Sequence, residues 1–239
     1  MTASKIRVCA LIPAYNEADR IGTTVEALRS RPEIDDVVVV DDGSADDTAQ
    51  IARLAGATKV KVQENAGKGA ALSTAFREAR ELADVFLLLD ADLGASAAEA
   101  VKLLTPIYRD TADMVVGLLP PDPDFAATGQ SGGSGFVVRL ANRSIERATG
   151  QTFKQPLCGQ RAVRGTVLDA MSAGKDGNIF AAGFGVEVAL TIAALKAGFR
   201  VVEVETHFRH KVTGSDLAGL MHRFRQYRDV AAAARAADR

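Results

Sequence analysis

The sequence predicts an α/β fold, with a mostly parallel central sheet, helices on both faces and a single domain. Three observations carry this. Apolar runs of strand length alternate with helix-spaced apolar faces through the first half of the chain, the pattern that builds a parallel sheet from β-α-β units. One of those runs, four valines at 37–40, is β-branched throughout without alternation, as expected of a strand buried on both faces. The length of 239 residues, with 47% hydrophobic and 25% charged content, suits one large domain.

The elements follow in order. Val8-Cys9-Ala10-Leu11-Ile12 is the first strand, and Ile21, Val25 and Leu28 mark the first helix face. The valines at 37–40 form the second strand. Residues 44–47 read as a helix start leading into Ile51 and Leu54. A weaker third strand covers 59–63, and Leu72, Phe76 and Ala79 give a third helix face. The fourth strand, 85–89, runs directly into Asp90, and Met114-Val115-Val116 lies inside a fifth. Regularity breaks at Pro120. The Pro- and Gly-rich stretch 120–135 predicts a long flexible loop, read as a lid over bound substrates. Gly129-Gln130-Ser131-Gly132-Gly133 within it matches G-x-S-x-G, but no strand enters it, so a nucleophile elbow is not expected. A helix over 136–148, a strand at 161–163, a helix with Val188, Ile192 and Leu195 on its face and a strand at 200–204 come next. A final helix from Ser215 has Leu217, Leu220 or Met221, Phe224 and Tyr227 as its apolar face, through which a homodimer could form.

Charge and composition exclude several classes. Asp and Glu number 30 against 29 Lys and Arg, a net charge of −1, so no basic excess points to nucleic acid. Cys9 and Cys158 form neither a disulfide framework nor a zinc cluster. The N-terminus has no signal-peptide core, and no apolar run approaches the roughly 20 residues that span a bilayer. A cytoplasmic protein without a transmembrane segment is expected, with peripheral membrane contact left open. His222, Arg223, Arg225 and Arg228, with Arg209 and Lys211 ahead of them, make a local basic patch. It reads either as a solvated face or as a seat for a phosphorylated acceptor or an anionic membrane.

In open α/β sheets ligands bind beyond the carboxyl ends of the strands. The residues that follow the first four strands are Pro13-Ala14-Tyr15-Asn16-Glu17, Asp41-Asp42-Gly43-Ser44, Asn65-Ala66-Gly67-Lys68-Gly69 and Asp90-Ala91-Asp92. Any one could be turn chemistry. All four together deliver carboxylates, amides, glycines and a lysine to one edge. Asp90 and Asp92 can both face one hard divalent ion, Mg²⁺ or Mn²⁺, completed by substrate phosphates. Gly67-Lys68-Gly69 ahead of a helix suits phosphate contact, although it is not a Walker A loop. Glu187, after two glycines and ahead of an apolar helix, reads either as a proton acceptor for an attacking hydroxyl or as a first-turn acid favoured by the helix dipole. His207 and His210 cluster after the last strand, as metal ligand or as surface residues. Arg161, in Cys158-Gly159-Gln160-Arg161, reads equally as an anchor for an acceptor phosphate or carboxylate and as a surface arginine.

The four motifs in this order resemble the family 2 glycosyltransferases of the GT-A fold. The resemblance covers about the first half of the chain, with Asp90-Ala91-Asp92 in the place of the DXD motif. It implies a nucleotide-sugar site of Pro13, Ala14, Tyr15, Glu17, Asp42, Lys68, Asp90, Ala91 and Asp92. In it Ala14, Glu17 and Asp42 would hold base and ribose, Asp90 would lie near the ribose, and Asp92 would coordinate the metal. Gly183-Phe184-Gly185-Val186-Glu187 and the later His210 are similar to the glucosyl-3-phosphoglycerate and mannosyl-3-phosphoglycerate synthases. That likeness makes Glu187 a sugar or acceptor contact and His210 a further metal ligand. Catalytic roles are thus expected of Asp92 and Glu187, and acceptor contacts of Gly159, Gln160, Arg161 and Glu187. Residues 1–119 would be the nucleotide-sugar half and 120–239 the acceptor half of one GT-A domain. The expected activity is metal-dependent transfer of a hexose from a nucleoside diphosphate sugar, UDP favoured, to a small phosphorylated or carboxylated acceptor such as a phosphoglycerate. Transfer to a polyprenyl phosphate at a membrane surface, or nucleotide-sugar binding without turnover, are the alternatives.

Overall fold

The computed structural model describes residues 5–119, 134–172, 180 and 186–209. The chain runs β1 (Val8–Ala14), α1 (Ala18–Arg29), β2 (Asp36–Asp41), α2 (Thr48–Leu54), β3 (Lys59–Val62), α3 (Lys68–Ala79) and β4 (Val85–Leu88). A 3-10 stretch (Gly94–Leu103), α4 (Leu104–Tyr108), β5 (Met114–Leu118), α5 (Ser134–Thr149), β6 (Arg161–Arg164), α6 (Gly165–Ser172), α7 (Val186–Lys196) and β7 (Val201–Glu205) follow.

The strands form one sheet in the order β3-β2-β1-β4-β6-β5-β7. β1 pairs in parallel with β2 and β4, β2 with β3, and β5 with β7, while β6 lies antiparallel between β4 and β5. The mostly parallel α/β sheet is therefore as expected; the inverted strand is not something the apolar pattern announces. Its direction decides the site. The parallel strands all end on one edge, and β6 begins there, so Gly159 and Gln160, just ahead of β6, reach the same edge as the residues that follow β1 to β4.

The continuous apolar runs divide by period two between the sheet's faces. Val8, Ala10, Ile12, Val37, Val39 and Leu87 pack beneath α1, whose Ile21, Val25 and Leu28 are fully buried, and beneath the 3-10 stretch. Cys9, Leu11, Val38, Val40, Phe86 and Leu88 pack beneath α3, where the Phe76 and Phe86 rings meet edge to face at 5.0 Å. Such double-sided burial leaves the strand ends as the place where polar residues meet solvent.

Several boundaries differ from the pattern in the sequence. β3 stops at Val62 and β4 at Leu88, although the Leu89 N–H still donates to the Leu11 carbonyl at 3.1 Å. The second helix begins at Thr48, after the predicted start. Leu54, expected to face the core, is 80% exposed, because the seven-residue α2 packs through Thr48 and Ala52, a turn apart, and Leu54 lies off that side. α5 begins at Ser134, so the last residues of the predicted loop are helical. The face Val188 and Ile192 is one of two on α7. It packs on Val137, Ala141 and Ile145 of α5, while Val186, Leu190 and Ala194 pack on the sheet. The 3-10 stretch, α4 and α6 carry no clear helical period in the sequence. The predicted lid over 120–133, Gly183 and Gly185, His210, and the final helix with its basic patch and dimer face lie outside the described residues. No helix of the described residues is long and apolar enough to cross a membrane.

Candidate active site

The four strand-end segments are tied to one another by hydrogen bonds that cross between loops. Asn16 sits at φ 55°, in the left-handed region that Asn tolerates better than most residues. Its backbone N–H donates to Ser44 Oγ at 2.9 Å, and its side-chain oxygen accepts from the Ala45 N–H at 2.8 Å. The Glu17 N–H donates to Thr48 Oγ1 at 2.9 Å. The first two loops thus form one unit, with Tyr15 half-exposed above them.

Asp42 ties the second loop to the third. It is buried, and Oδ1 accepts from Gln63 Nε2 (2.7 Å) and the Ala66 N–H (3.0 Å), while Oδ2 accepts from the Gly67 N–H at 2.7 Å. Gly67, at φ 90°, then turns the chain into α3 at Lys68. Asp42, read from sequence as a nucleotide contact, is therefore also the support of the glycine loop. Gln63, which shares that carboxylate, had no signal beyond its place at the end of β3.

The fourth segment is held from beneath by Thr24, a hydroxyl on the apolar face of α1. Thr24 Oγ1 donates to the Ala91 carbonyl and accepts from the Gly94 N–H, both at 2.8 Å. Arg20 Nη1 donates to the Asp92 carbonyl at 3.3 Å. These bonds fix the turn that carries Asp90, Ala91 and Asp92.

At the centre, Lys68 bridges two carboxylates. Its Nζ lies 2.9 Å from Asp90 Oδ1 and 3.0 Å from Glu187 Oε1. Burial works against the Lys68 charge, but Asp90 and Glu187 outweigh it and hold the amine's pKa above its ordinary value. The other Asp90 oxygen, Oδ2, accepts from Gln160 Nε2 at 2.6 Å. A Cβ on Gly159 would stand 3.0 Å from Lys68 Nζ and 3.1 Å from Asp90 Oδ2, so any other residue would press on this ion pair. Sequence reasoning had placed Gly159, Gln160 and Glu187 together on the acceptor side. All three meet here, against Asp90 and Lys68.

Arg161 is not a surface residue. It is 1% exposed, and its guanidinium donates to the Pro156 and Cys158 carbonyls and to Thr191 Oγ1. Its burial and these three bonds correct the reading of Arg161 as a surface residue. His207 is exposed, with Nδ1 3.3 Å from Glu99 Oε2 and 3.3 Å from Lys102 Nζ. A hollow of about 330 Å³ opens at the ends of β5 and β7, lined by Leu118, Leu119, Lys154, Gln155, Glu205 and His207 among others.

For a divalent ion, the described residues offer hard oxygen donors in Asp90 and Asp92, and among them no group of three or more His, Cys, Asp or Glu surrounds one point. With Asp90 engaged by Lys68 and Gln160, this donor set fits an ion that arrives with phosphate oxygens better than one sequestered by protein alone.

Residues 9–151 match the family model described as Glycosyl transferase family 2. The chain belongs to glycosyl transferase family 2. Within the family, it is 35% identical over 214 residues to glycosyltransferase AglJ of Haloferax volcanii, which covers 87% of this chain and 65% of AglJ. It is 27% identical over 231 residues to the undecaprenyl-phosphate 4-deoxy-4-formamido-L-arabinose transferase of Aeromonas hydrophila, covering 90% of this chain and 64% of that one. The chain thus spans less than two thirds of the length of these curated relatives. Among solved structures, glucosyl-3-phosphoglycerate synthase from Mycobacterium tuberculosis, crystallised with phosphoglyceric acid, superposes with a TM-score of 0.78 at 22% identity over 97% of this chain and 80% of that one. The same enzyme with Mn²⁺, UDP and phosphoglyceric acid gives a TM-score of 0.76 over 97% of this chain and 78% of that one. The GT-A architecture of this family 2 chain is thereby established.

Proposed function

We propose that this chain transfers a sugar from a nucleoside diphosphate sugar, UDP favoured, to a phosphate-bearing acceptor. The observation that carries the reading is the Asp90–Lys68–Glu187 bridge, set beside the glycine loop that Asp42 supports at the carboxyl edge of the sheet. The glycine loop and the start of α3 offer N–H groups and a cation to a diphosphate. Mg²⁺ or Mn²⁺, bound by Asp92 together with the substrate's phosphate oxygens, would supply Lewis-acid stabilisation of the leaving diphosphate. The structures of the fold relative with Mn²⁺ and UDP support that choice of metal and nucleotide.

The acceptor follows from the state of Glu187. Glu187 Oε1 already accepts from Lys68 Nζ at 3.0 Å and would have to give up that bond to serve an attacking hydroxyl, so the bridge favours an acceptor that needs no base. A phosphate monoester is ionised at neutral pH and attacks without a general base. The relative that carries undecaprenyl-phosphate in its name matches by sequence, whereas the phosphoglycerate synthase is alike in fold at 22% identity. We therefore favour a polyprenyl phosphate over phosphoglycerate, with Glu187 holding Lys68 in place.

The test is UDP release from UDP-glucose with Mn²⁺, in the presence of a polyprenyl phosphate in detergent or of 3-phosphoglycerate. Release dependent on the lipid phosphate, lost in Asp92→Ala, supports the reading. Release dependent on phosphoglycerate, and lost in Glu187→Gln, supports the hydroxyl-acceptor reading instead. UDP binding without release in either mixture rules out the transferase reading and leaves a binding module.

A further inference from the structure

Residues 151–160 form neither helix nor strand. They are nonetheless held by side chains from α5, β6 and β7. Asn142 of α5 pairs through Nδ2 and Oδ1 with the Phe153 carbonyl and N–H, at 2.7 and 2.9 Å. Glu203 of β7 accepts from the Lys154 and Gln155 N–H groups at 3.0 and 2.8 Å. Arg161, at the start of β6, donates from Nη2 to the Pro156 carbonyl at 3.1 Å and from Nε to the Cys158 carbonyl at 3.0 Å. Its third direction leaves the segment: Nη1 donates to Thr191 Oγ1 at 2.8 Å, and that hydroxyl donates to the Glu187 carbonyl at 2.8 Å.

A fully buried guanidinium is costly to desolvate, and a hydrophobic side chain of similar volume would fill the space more cheaply. What a guanidinium alone supplies is donors in three fixed directions. Two of those directions hold the chain that delivers Gly159 and Gln160 to Asp90 and Lys68. The third holds Thr191, one turn beyond Glu187 in the helix that delivers Glu187 to Lys68. Burial lowers the Arg161 pKa, and the negative charge of Glu187 is the strongest influence opposing that. The two halves of the Lys68 cage therefore have a common fastener.

We infer that Arg161 is a positioning residue, which sets Gln160 and Glu187 together against the Asp90–Lys68 pair. The inference rests on the transferase reading for its effect on turnover, but its structural part is separately testable. Cys158 lies inside the held segment at 6% exposure, and Cys9 lies in β1 at 0%, so the two thiols report on local and global opening within one molecule.

The experiment compares wild type with Arg161→Met and the milder Thr191→Val, using modification by a thiol reagent resolved by peptide mass spectrometry together with steady-state kinetics. We expect Cys158 to react about tenfold faster in Arg161→Met, and about threefold faster in Thr191→Val, with Cys9 unchanged. We expect kcat to fall about tenfold or more in Arg161→Met while the KM for UDP-sugar stays within about twofold, because the Asp42 loop is untouched. Parallel acceleration of Cys9 and Cys158, unchanged Cys158 in both variants, or faster Cys158 with undiminished kcat each overturns the inference. If Arg161→Met does not fold, Thr191→Val decides by the same criteria. If wild type releases no UDP, the transferase reading fails, and the thiol rates still decide whether Arg161 fastens the segment.

Discussion

Gly159 shows how one missing atom shapes the centre of the site. A Cβ there would press on the end of the Lys68 side chain and on a carboxylate oxygen of Asp90, at 3.0 and 3.1 Å. The ends of side chains can move, so Gly159→Ala is expected to leave the fold intact, with a loss under about 1 kcal/mol in a urea melt. The amine and the Asp90 oxygen must nonetheless give by a few tenths of an ångström, which loosens the bridge, and turnover should fall by up to about tenfold. Unchanged turnover would mean that the bridge is incidental. Asp42 makes a second case at this scale. Asp42→Ala removes the acceptor of the Ala66 and Gly67 N–H groups, which are exposed and half-buried and can turn to water, so the cost in stability should be about 1 kcal/mol. It should also weaken UDP binding in calorimetry about tenfold, since the glycine loop loses its support. Asp42 was visible in the sequence as a member of a strand-end motif, and Gly159 within Cys158-Gly159-Gln160-Arg161. What each touches was not, because the contacts lie 25 residues apart for Asp42–Gly67 and 119 apart for Lys68–Glu187.

At the scale of elements, the edge of the sheet opposite the site is locked by charge. Asp113, just ahead of β5, accepts from Arg200 Nε at 3.0 Å and from the Arg200 N–H at 2.8 Å, and lies 3.6 Å from Arg164 Nε at the end of β6. Three strands are joined there. Hydrogen bonds from Arg200, helped by the Arg164 charge, outweigh burial and hold the Asp113 carboxyl below its ordinary pKa. A group depressed in the folded state adds stability above its unfolded pKa, about 3.9, and loses it as the pH falls through the folded value. Asp113→Asn should therefore be less stable than wild type at pH 7 by about 1–2 kcal/mol. At a pH well below the unfolded value, once the folded carboxyl is protonated too, the difference should close. Urea melts at both pH values test this, and a gap that persists in acid would assign the loss to packing. The strands themselves were legible, since their β-branched runs are local. The antiparallel sense of β6 was not: four residues, Arg161 to Arg164, carry no mark of direction, which is set by the neighbours they pair with.

For the whole molecule, the same edge that gathers the four loops predicts linkage between ligand and stability. UDP at about a hundred times its Kd adds about 2.7 kcal/mol to the folded state. For a domain of this size that raises Tm by about 5–10 °C. If the ion joins Asp92 to the diphosphate, most of that rise should vanish with EDTA or in Asp92→Ala, as read by differential scanning fluorimetry. An equal rise with and without metal would remove the ion from the nucleotide site. The hollow between the ends of β5 and β7 lies on the same carboxyl edge, and the order β4-β6-β5-β7 puts it on the side of Asp90 away from the Asp42 loop.

The sequence by itself determined the α/β class, most of the strands, and the four polar segments that follow them. Those are local properties: burial on two faces selects β-branched runs, and the turn after a parallel strand selects glycine and short polar residues. It also led to the family through the order of those segments. Only the tertiary structure decided that Lys68 is shared by Asp90 and Glu187, that Gln160 completes Asp90, and that Arg161 faces inward. Gln160 reaches Asp90 because β6 enters backwards between β4 and β5, and Lys68 meets Glu187 because α7 packs beside α3; both are choices made by packing between distant parts of the chain, which no window of sequence contains.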